Sequence, residues 1–150
     1  MLLKGVMTEV LKVSDDFLVL LTEDDDAAAN LIQMNLKRLG ATQVLWKKNG
    51  RETLDFLKSG SLSNYPQPII LLDIKMPVMD GFELLSEVKK NQKFKNIPVV
   101  MLTTTDNPEE VEKCYDLGCN FYIKKPVEYR ELTEKLKAFM NFAKICVLPN

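Results

Sequence analysis

The chain contains no histidine. That excludes Ser-His and Cys-His nucleophile pairs and any metal site built on imidazole. It also means that a phosphoryl group carried on histidine can only come from a partner. Cysteine is almost as scarce. Cys114, Cys119 and Cys146 are odd in number and form no Cys-X-X-Cys pair, which suits free thiols in a reducing cytoplasm rather than a disulfide framework. No apolar run approaches the ~18 residues of a membrane span, and the N-terminus lacks the apolar stretch of a signal peptide. Surplus positive charge is missing too: 20 Lys and Arg against 21 Asp and Glu leave a net charge of −1, so the chain has little with which to neutralise nucleic-acid phosphates. What remains is ordinary for a globular chain. The 150 residues are 46% apolar and 27% charged, enough for one domain with its own core. Residues 1–16 alternate small apolar and polar residues and read as a leader; residues 17–143 read as the domain and 144–150 as a tail.

The chain is organised around Ile69-Ile70-Leu71-Leu72-Asp73-Ile74-Lys75-Met76-Pro77-Val78-Met79-Asp80-Gly81. Its first four residues form a continuous apolar run, which suits a strand buried on both faces of a parallel sheet. The run ends in Asp73. A carboxylate at the end of a buried strand is costly unless water, a metal or a counter-ion meets it. In open α/β sheets the C-terminal strand edge is where ligands bind, so Asp73 is expected at the mouth of a site. Pro77 bars further pairing, and Asp80 with Glu83 forms a capping box for the next helix.

Other segments repeat the pattern. Phe17–Leu21 is an apolar strand that runs into Glu23-Asp24-Asp25-Asp26, followed by a helical stripe of Ala29, Ile32, Leu36 and Leu39 with Gly40 as its stop. Thr42 to Trp46 is a short strand, and Arg51 to Lys58 a helix after the Asn49-Gly50 turn. Ser61 to Pro68 reads as a polar loop. Phe82, Leu85 and Val88 give the third helix its buried stripe. Ile97 to Leu102 is a strand ending in Thr103-Thr104-Thr105. Asn107-Pro108 opens a helix with Glu110 closing its capping box. Asn120 to Ile123 is the last strand, running into Lys124-Lys125-Pro126. Leu132, Leu136, Phe139, Met140 and Ala143 form the final helix, and Ile145 and Val147 before Pro149 favour an extended end. Five strands alternating with five helices imply right-handed crossovers and a doubly wound α/β parallel sheet.

Strict alternation brings Asp24, Asp73 and Thr103 to one sheet edge, with Lys125 beside them. Three carboxylates there, Glu23, Asp24 and Asp73, repel one another and raise each other's pKa values unless a hard divalent cation such as Mg²⁺ sits among them. Taken singly, an acidic helix start, a strand-end threonine and a turn lysine are commonplace. Taken together they suit phosphoryl transfer to a carboxylate, with Asp73 as nucleophile and Thr103, Lys125 and the cation on the phosphoryl oxygens.

Glu23-Asp24, Leu72-Asp73 with Met76-Pro77 and Met79-Asp80-Gly81, Thr103 and Lys125-Pro126 resemble the four separated motifs of response-regulator receiver domains of two-component signalling, from about Phe17 to Phe142. The resemblance implies a flavodoxin-like fold with strand order 2-1-3-4-5. It implies Asp73 as phosphoacceptor and Mg²⁺ held by Asp24, by Glu23 mainly through water, by Asp73 and by the backbone carbonyl of Lys75. It implies Thr103 and Lys125 on the phosphoryl group, Tyr122 as a switching aromatic, and a cis Lys125-Pro126 bond. Such a domain catalyses only its own phosphorylation and dephosphorylation, in the cytoplasm, with a histidine kinase as partner. The Asn49-Gly50 helix start, the loop at 61–68, Leu102-Thr103-Thr104 and the ending Val147-Leu148-Pro149 resemble, more narrowly, the small regulators paired with bacterial phytochromes. Lys75 and Thr105 depart from common receiver choices at positions that admit or block hydrolytic water.

Two other readings compete. One is a binding module that keeps the fold without phosphorylation. The other is a hydrolase with an aspartyl-phosphate intermediate, which usually needs a second acid where this chain has Lys75. Fewer than ten residues follow the expected final helix, too few for a DNA-binding module, so a stand-alone receiver is expected. Residues 138–148 are more apolar than one helix face requires; the tail either folds back over its own domain or, as preferred, forms a homodimer together with the neighbouring fourth-helix face.

Overall fold

A computed structural model describes residues 17–40, 43–105, 107–126 and 128–146. The leader and the last four residues lie outside them. In chain order the elements are β1 (Phe17–Thr22), α1 (Asp26–Arg38), β2 (Val44–Lys47), α2 (Gly50–Lys58), a 3₁₀ turn (Ser61–Asn64), β3 (Gln67–Asp73), α3 (Gly81–Lys90), β4 (Val99–Thr103), α4 (Pro108–Asp116), β5 (Phe121–Lys124) and α5 (Tyr129–Cys146). All strand pairs are parallel and the order is β2-β1-β3-β4-β5, as expected.

The apolar runs explain the layering. Val19 and Leu21 of β1 and Ile69 and Leu71 of β3 face one way, against Ala29, Ile32 and Leu36 of α1 and Leu132 and Leu136 of α5. Leu20, Ile70 and Leu72 face the other, against Leu54 and Leu57 of α2, Leu84, Leu85 and Val88 of α3, and Cys114 of α4. Strands with both faces covered have no polar side to show, which is why they read as unbroken apolar runs. The helix starts are capped by side chains: Asp25 Oδ1 accepts from the N–H of Ala27, Asn49 Oδ1 from Glu52 and Asp80 Oδ1 from Glu83.

Several elements differ from the sequence expectation. The α3 stripe is Leu84, Leu85 and Val88; Phe82 is half-exposed, its ring lying 4.3 Å beneath the Lys113 ammonium. The segment 61–68 is partly ordered as the 3₁₀ turn and the start of β3. Asn107 caps α4 through Glu109 N–H rather than through a box with Glu110. Asn120 precedes β5, where its side chain accepts from Val99 N–H at 2.9 Å. Helix α5 continues through Cys146, past the boundary expected at Ala143. β-Branching costs a growing helix only tenths of a kcal/mol per residue, so Ile145 does not stop it. Dimerisation through the tail involves side chains outside the described residues.

The loop leaving β3 is held by two glycines. Gly81 N–H donates to Ile74 O at 2.7 Å, and a Cβ at Gly81 would overlap the Asp73 carbonyl oxygen and lie 2.8 Å from the Ile74 Cα. Gly50 N–H donates to Met79 O at 3.1 Å, where a Cβ would meet that same carbonyl. Between them Met79 N–H reaches back to Pro77 O at 2.7 Å around Val78, whose φ is +69°. Positive φ at a β-branched residue costs about 1–2 kcal/mol, and Val78 is 78% exposed, so packing does not repay it. Val78→Gly is expected to raise unfolding stability by about 0.5–1 kcal/mol after glycine's own entropic penalty; a lower melting temperature would contradict this reading of the turn. Gly81→Ala is expected to cost at least ~2 kcal/mol, because its new methyl meets backbone that cannot rotate away, as denaturant unfolding would show.

Candidate functional site

The C-terminal edge of the sheet collects the site. Thr22 pairs with Leu72 and Asp73 with Leu102, so the ends of β1, β3 and β4 are level. Glu23 follows β1 and is fully buried. Asp73 ends β3 and Thr103 ends β4, both buried. Lys125 follows β5 and precedes a cis bond to Pro126. Its N–H donates to Thr103 O at 2.7 Å, which ties the β5 exit to the end of β4.

The charges do not balance. Lys125 Nζ donates to Glu23 Oε1 at 2.6 Å and lies 3.3 Å from Asp73 Oδ1. Carboxyl oxygens of Glu23, Asp24 and Asp73 all lie within 4.8 Å of one another. Among the described residues one ammonium thus serves two buried carboxylates, with the exposed Asp24 beside them. Glu23 Oε2 is buried and accepts no hydrogen bond from any described residue. Burial pushes the Glu23 carboxyl up to about 7, and the negative charge of Asp73 adds to that, while the hydrogen bond and charge of Lys125 oppose it. Burial likewise raises Asp73, against the pull of Lys125. The donor set is all hard oxygen with one orphaned buried lone pair, which fits a small divalent cation of the Mg²⁺ type.

The remaining candidates are arranged around this cluster. Thr103 Oγ1 accepts from Thr105 N–H at 3.0 Å. Tyr122, half-buried on β5, donates from its hydroxyl to Thr105 O at 3.4 Å. Lys75 is exposed on the loop, beside a cleft of about 460 Å³ that Asp24, Met76, Pro77, Asp80 and Glu110 also line. The structure therefore brings the carboxylates of Glu23, Asp24 and Asp73 together and sets Lys125 against Glu23 and Asp73. Thr103 is one strand over, with its hydroxyl engaged by its own turn.

Sequence reasoning missed three supports. Trp46 Nε1 donates to Glu23 O at 2.8 Å. The hydroxyls of Thr22 and Thr53, both fully buried, bond at 2.6 Å and tie β1 to α2. The turn at Thr103 continues as a relay, since Asn107 N–H donates to Thr105 Oγ1 and Glu109 N–H to Asn107 Oδ1, each at 3.0 Å. Trp46 carried a signal: a half-buried indole N–H needs an acceptor, and this is the chain's one tryptophan.

Comparison with known proteins agrees with this fold. The family described as the response regulator receiver domain matches residues 19–137. The probable methanogenesis regulatory protein FilR2 of Methanothrix harundinacea is 34% identical over 137 residues, covering 89% of this chain and 88% of that protein. Response regulator Rcp1 of Synechocystis is 35% identical over 127 residues, covering 83% and 86%. The Mn²⁺-bound form of Rcp1 superposes with a TM-score of 0.68 at 35% identity, covering 89% of this chain and 99% of that one. The phosphorylated cyanobacterial phytochrome response regulator RcpA superposes with a TM-score of 0.69 at 34% identity, covering 88% and 97%. Receiver domains bind a divalent metal, are phosphorylated by histidine kinases and are not enzymes in the ordinary sense. No helix among the described residues is long and apolar enough to cross a membrane. The motifs, the strand order and the clustered carboxylates have one common explanation: this chain belongs to the response regulator receiver domain family of two-component signalling.

Proposed function

We propose that this protein accepts a phosphoryl group on Asp73 from the phosphohistidine of a partner kinase, in the cytoplasm, and that the modification switches a protein-binding surface. The observation that carries the reading is the pair of buried carboxylates, Glu23 and Asp73, that share the ammonium of Lys125 among the described residues. A site left that negative is unstable as a resting arrangement and suited to a cation and a phosphoryl group. Glu23, Asp24, Asp73 and the backbone carbonyl of Lys75 would hold Mg²⁺, which when bound neutralises charge on the phosphoryl oxygens.

This chain's own residues account for the rest. An oxygen of Asp73 attacks phosphorus as the bond from phosphorus to the partner's imidazole nitrogen breaks, and the imidazole leaves on the partner. Lys125 has only to turn from the carboxylates to meet a phosphoryl oxygen. Thr103 exchanges the Thr105 N–H for a phosphoryl oxygen, to which its hydroxyl donates. Since Tyr122 is bound to the carbonyl of Thr105, movement of this turn reaches β5 and biases the ring between two positions. An apolar groove of about 410 Å³ beside Lys125, lined by Ala27, Ala28, Leu31, Ile32, Thr104 and Pro126, supports a docking place for the donor next to the site. The likeness to RcpA supports a kinase of the phytochrome class. The buried free thiols Cys114 and Cys119 suit a reducing compartment.

A small phosphodonor with Mg²⁺ is expected to add one phosphoryl group, read by intact mass. Asp73→Asn is expected to lose the addition while still folding; a variant that gains the group under the same conditions overturns the assignment. Asp24→Ala is expected to slow transfer by roughly a hundredfold or more, since neutralising developing charge is worth several kcal/mol. Undiminished transfer in that variant would remove Asp24 from the site.

A further inference from the structure

We infer that Trp46 is a positioning residue for the cation site: its indole fixes the carbonyl of Glu23 and so aims the Glu23–Asp24 pair at Asp73. The inference rests on the proposed reading of those three carboxylates as cation ligands.

The link between β1 and α1 is only Glu23, Asp24 and Asp25. Its two ends are anchored separately. Glu23 N–H donates to Lys47 O at 3.0 Å, continuing the ladder from β1 to β2. Among the described residues the Glu23 carbonyl has no ladder partner of that kind; it accepts from Trp46 Nε1 at 2.8 Å. At the other end Asp25 Oδ1 caps α1, accepting from Ala27 N–H at 2.9 Å and from Ala28 N–H at 3.4 Å. Asp24 is thus suspended between a clamped carbonyl and a helix cap. Its carboxylate is exposed, yet it lies within 4.8 Å of the Glu23 and Asp73 oxygens. Holding the plane of the Glu23–Asp24 peptide is what keeps it there. Rotation of that plane would swing the Asp24 side chain away and turn the buried Glu23 side chain with it.

The surroundings of the ring reinforce the clamp. Trp46 packs on the core cluster of β1, α1 and α5. The Lys48 ammonium lies 5.4 Å from its ring and 3.7 Å from Asp26, the first residue of α1. A ring present only to fill the core would need no indole N–H. The N–H bond is the part that points to the site.

Trp46→Phe keeps an aromatic ring, though a smaller one, and deletes the donor. Titration calorimetry is expected to show Mg²⁺ binding about three- to tenfold weaker than in the unsubstituted protein, at a temperature where both are folded. Equal affinity overturns the inference and leaves the cation ligands standing. A parallel measurement needs no variant. The single tryptophan gives one ¹⁵N-indole cross-peak, which is expected to move with added Mg²⁺ and to saturate with the calorimetric isotherm. A peak that stays fixed while Mg²⁺ binds also overturns the inference, and does so even if Trp46→Phe fails to fold. If the unsubstituted protein takes up no Mg²⁺, both the inference and the cation reading fall.

Discussion

Two carboxylates share one ammonium inside the C-terminal edge of the sheet, and most of the structure around them is organised by that imbalance. Burying a carboxylate is unfavourable unless its oxygens are satisfied. Glu23 has one oxygen on Lys125 and the other on nothing described. The fold tolerates this because everything else about the position is fixed. Glu23 is the first residue beyond β1, its backbone is held by β2, and Lys125 is brought back by β5 and the bond from its N–H to the end of β4. A polar group so costly is kept by a sheet whose apolar runs leave the strands no alternative register.

The same logic runs through the loops. The β3 exit passes between Gly81 and Gly50, at points where backbone touches backbone, and bends around Val78 in a conformation that a β-branched residue disfavours. Strain of this kind persists only where surrounding contacts over-determine it. Here the contacts are the tight approach to Asp73 and the packing of Met79 on the neighbouring helix. On the other side, Thr103, Thr105 and Asn107 pass hydrogen bonds along their turn to the start of α4. These bonds join Thr103 to the start of α4 and, through the Thr105 carbonyl, to Tyr122.

Much of this was legible in the sequence, for definite reasons. The runs Phe17–Leu21, Ile69–Leu72 and Ile97–Leu102 are unbroken because their strands are covered on both faces, and each leads, within two residues, to a polar residue of the candidate site. Strict alternation with helices left parallel crossovers as the solution. Edges and ends were harder to read. Phe82 looked like core because a period does not say how wide the buried stripe is, and the Lys113 ammonium lets its ring stay half-exposed. Helix α5 outran its expected end because local β-preference is weak beside propagation of an existing helix. Side-chain bonds across elements, such as Trp46 to Glu23 and Thr22 to Thr53, join residues far apart in sequence and leave no periodic trace.

The central claim is that the resting site holds more negative charge than its protein groups can balance. It is tested most directly by the pH dependence of unfolding, measured on the protein and on Glu23→Gln, with and without Mg²⁺. Glu23 sits at about 7 when folded, against an ordinary value of 4.5. A raised carboxyl adds stability below its unfolded value and loses it as pH rises through the folded one. Without metal, the protein is therefore expected to become more stable relative to Glu23→Gln as pH falls from about 8 toward 5, and saturating Mg²⁺ is expected to suppress that gain by favouring the ionised form. A difference that is flat across the window, or that Mg²⁺ leaves unchanged, would contradict the account.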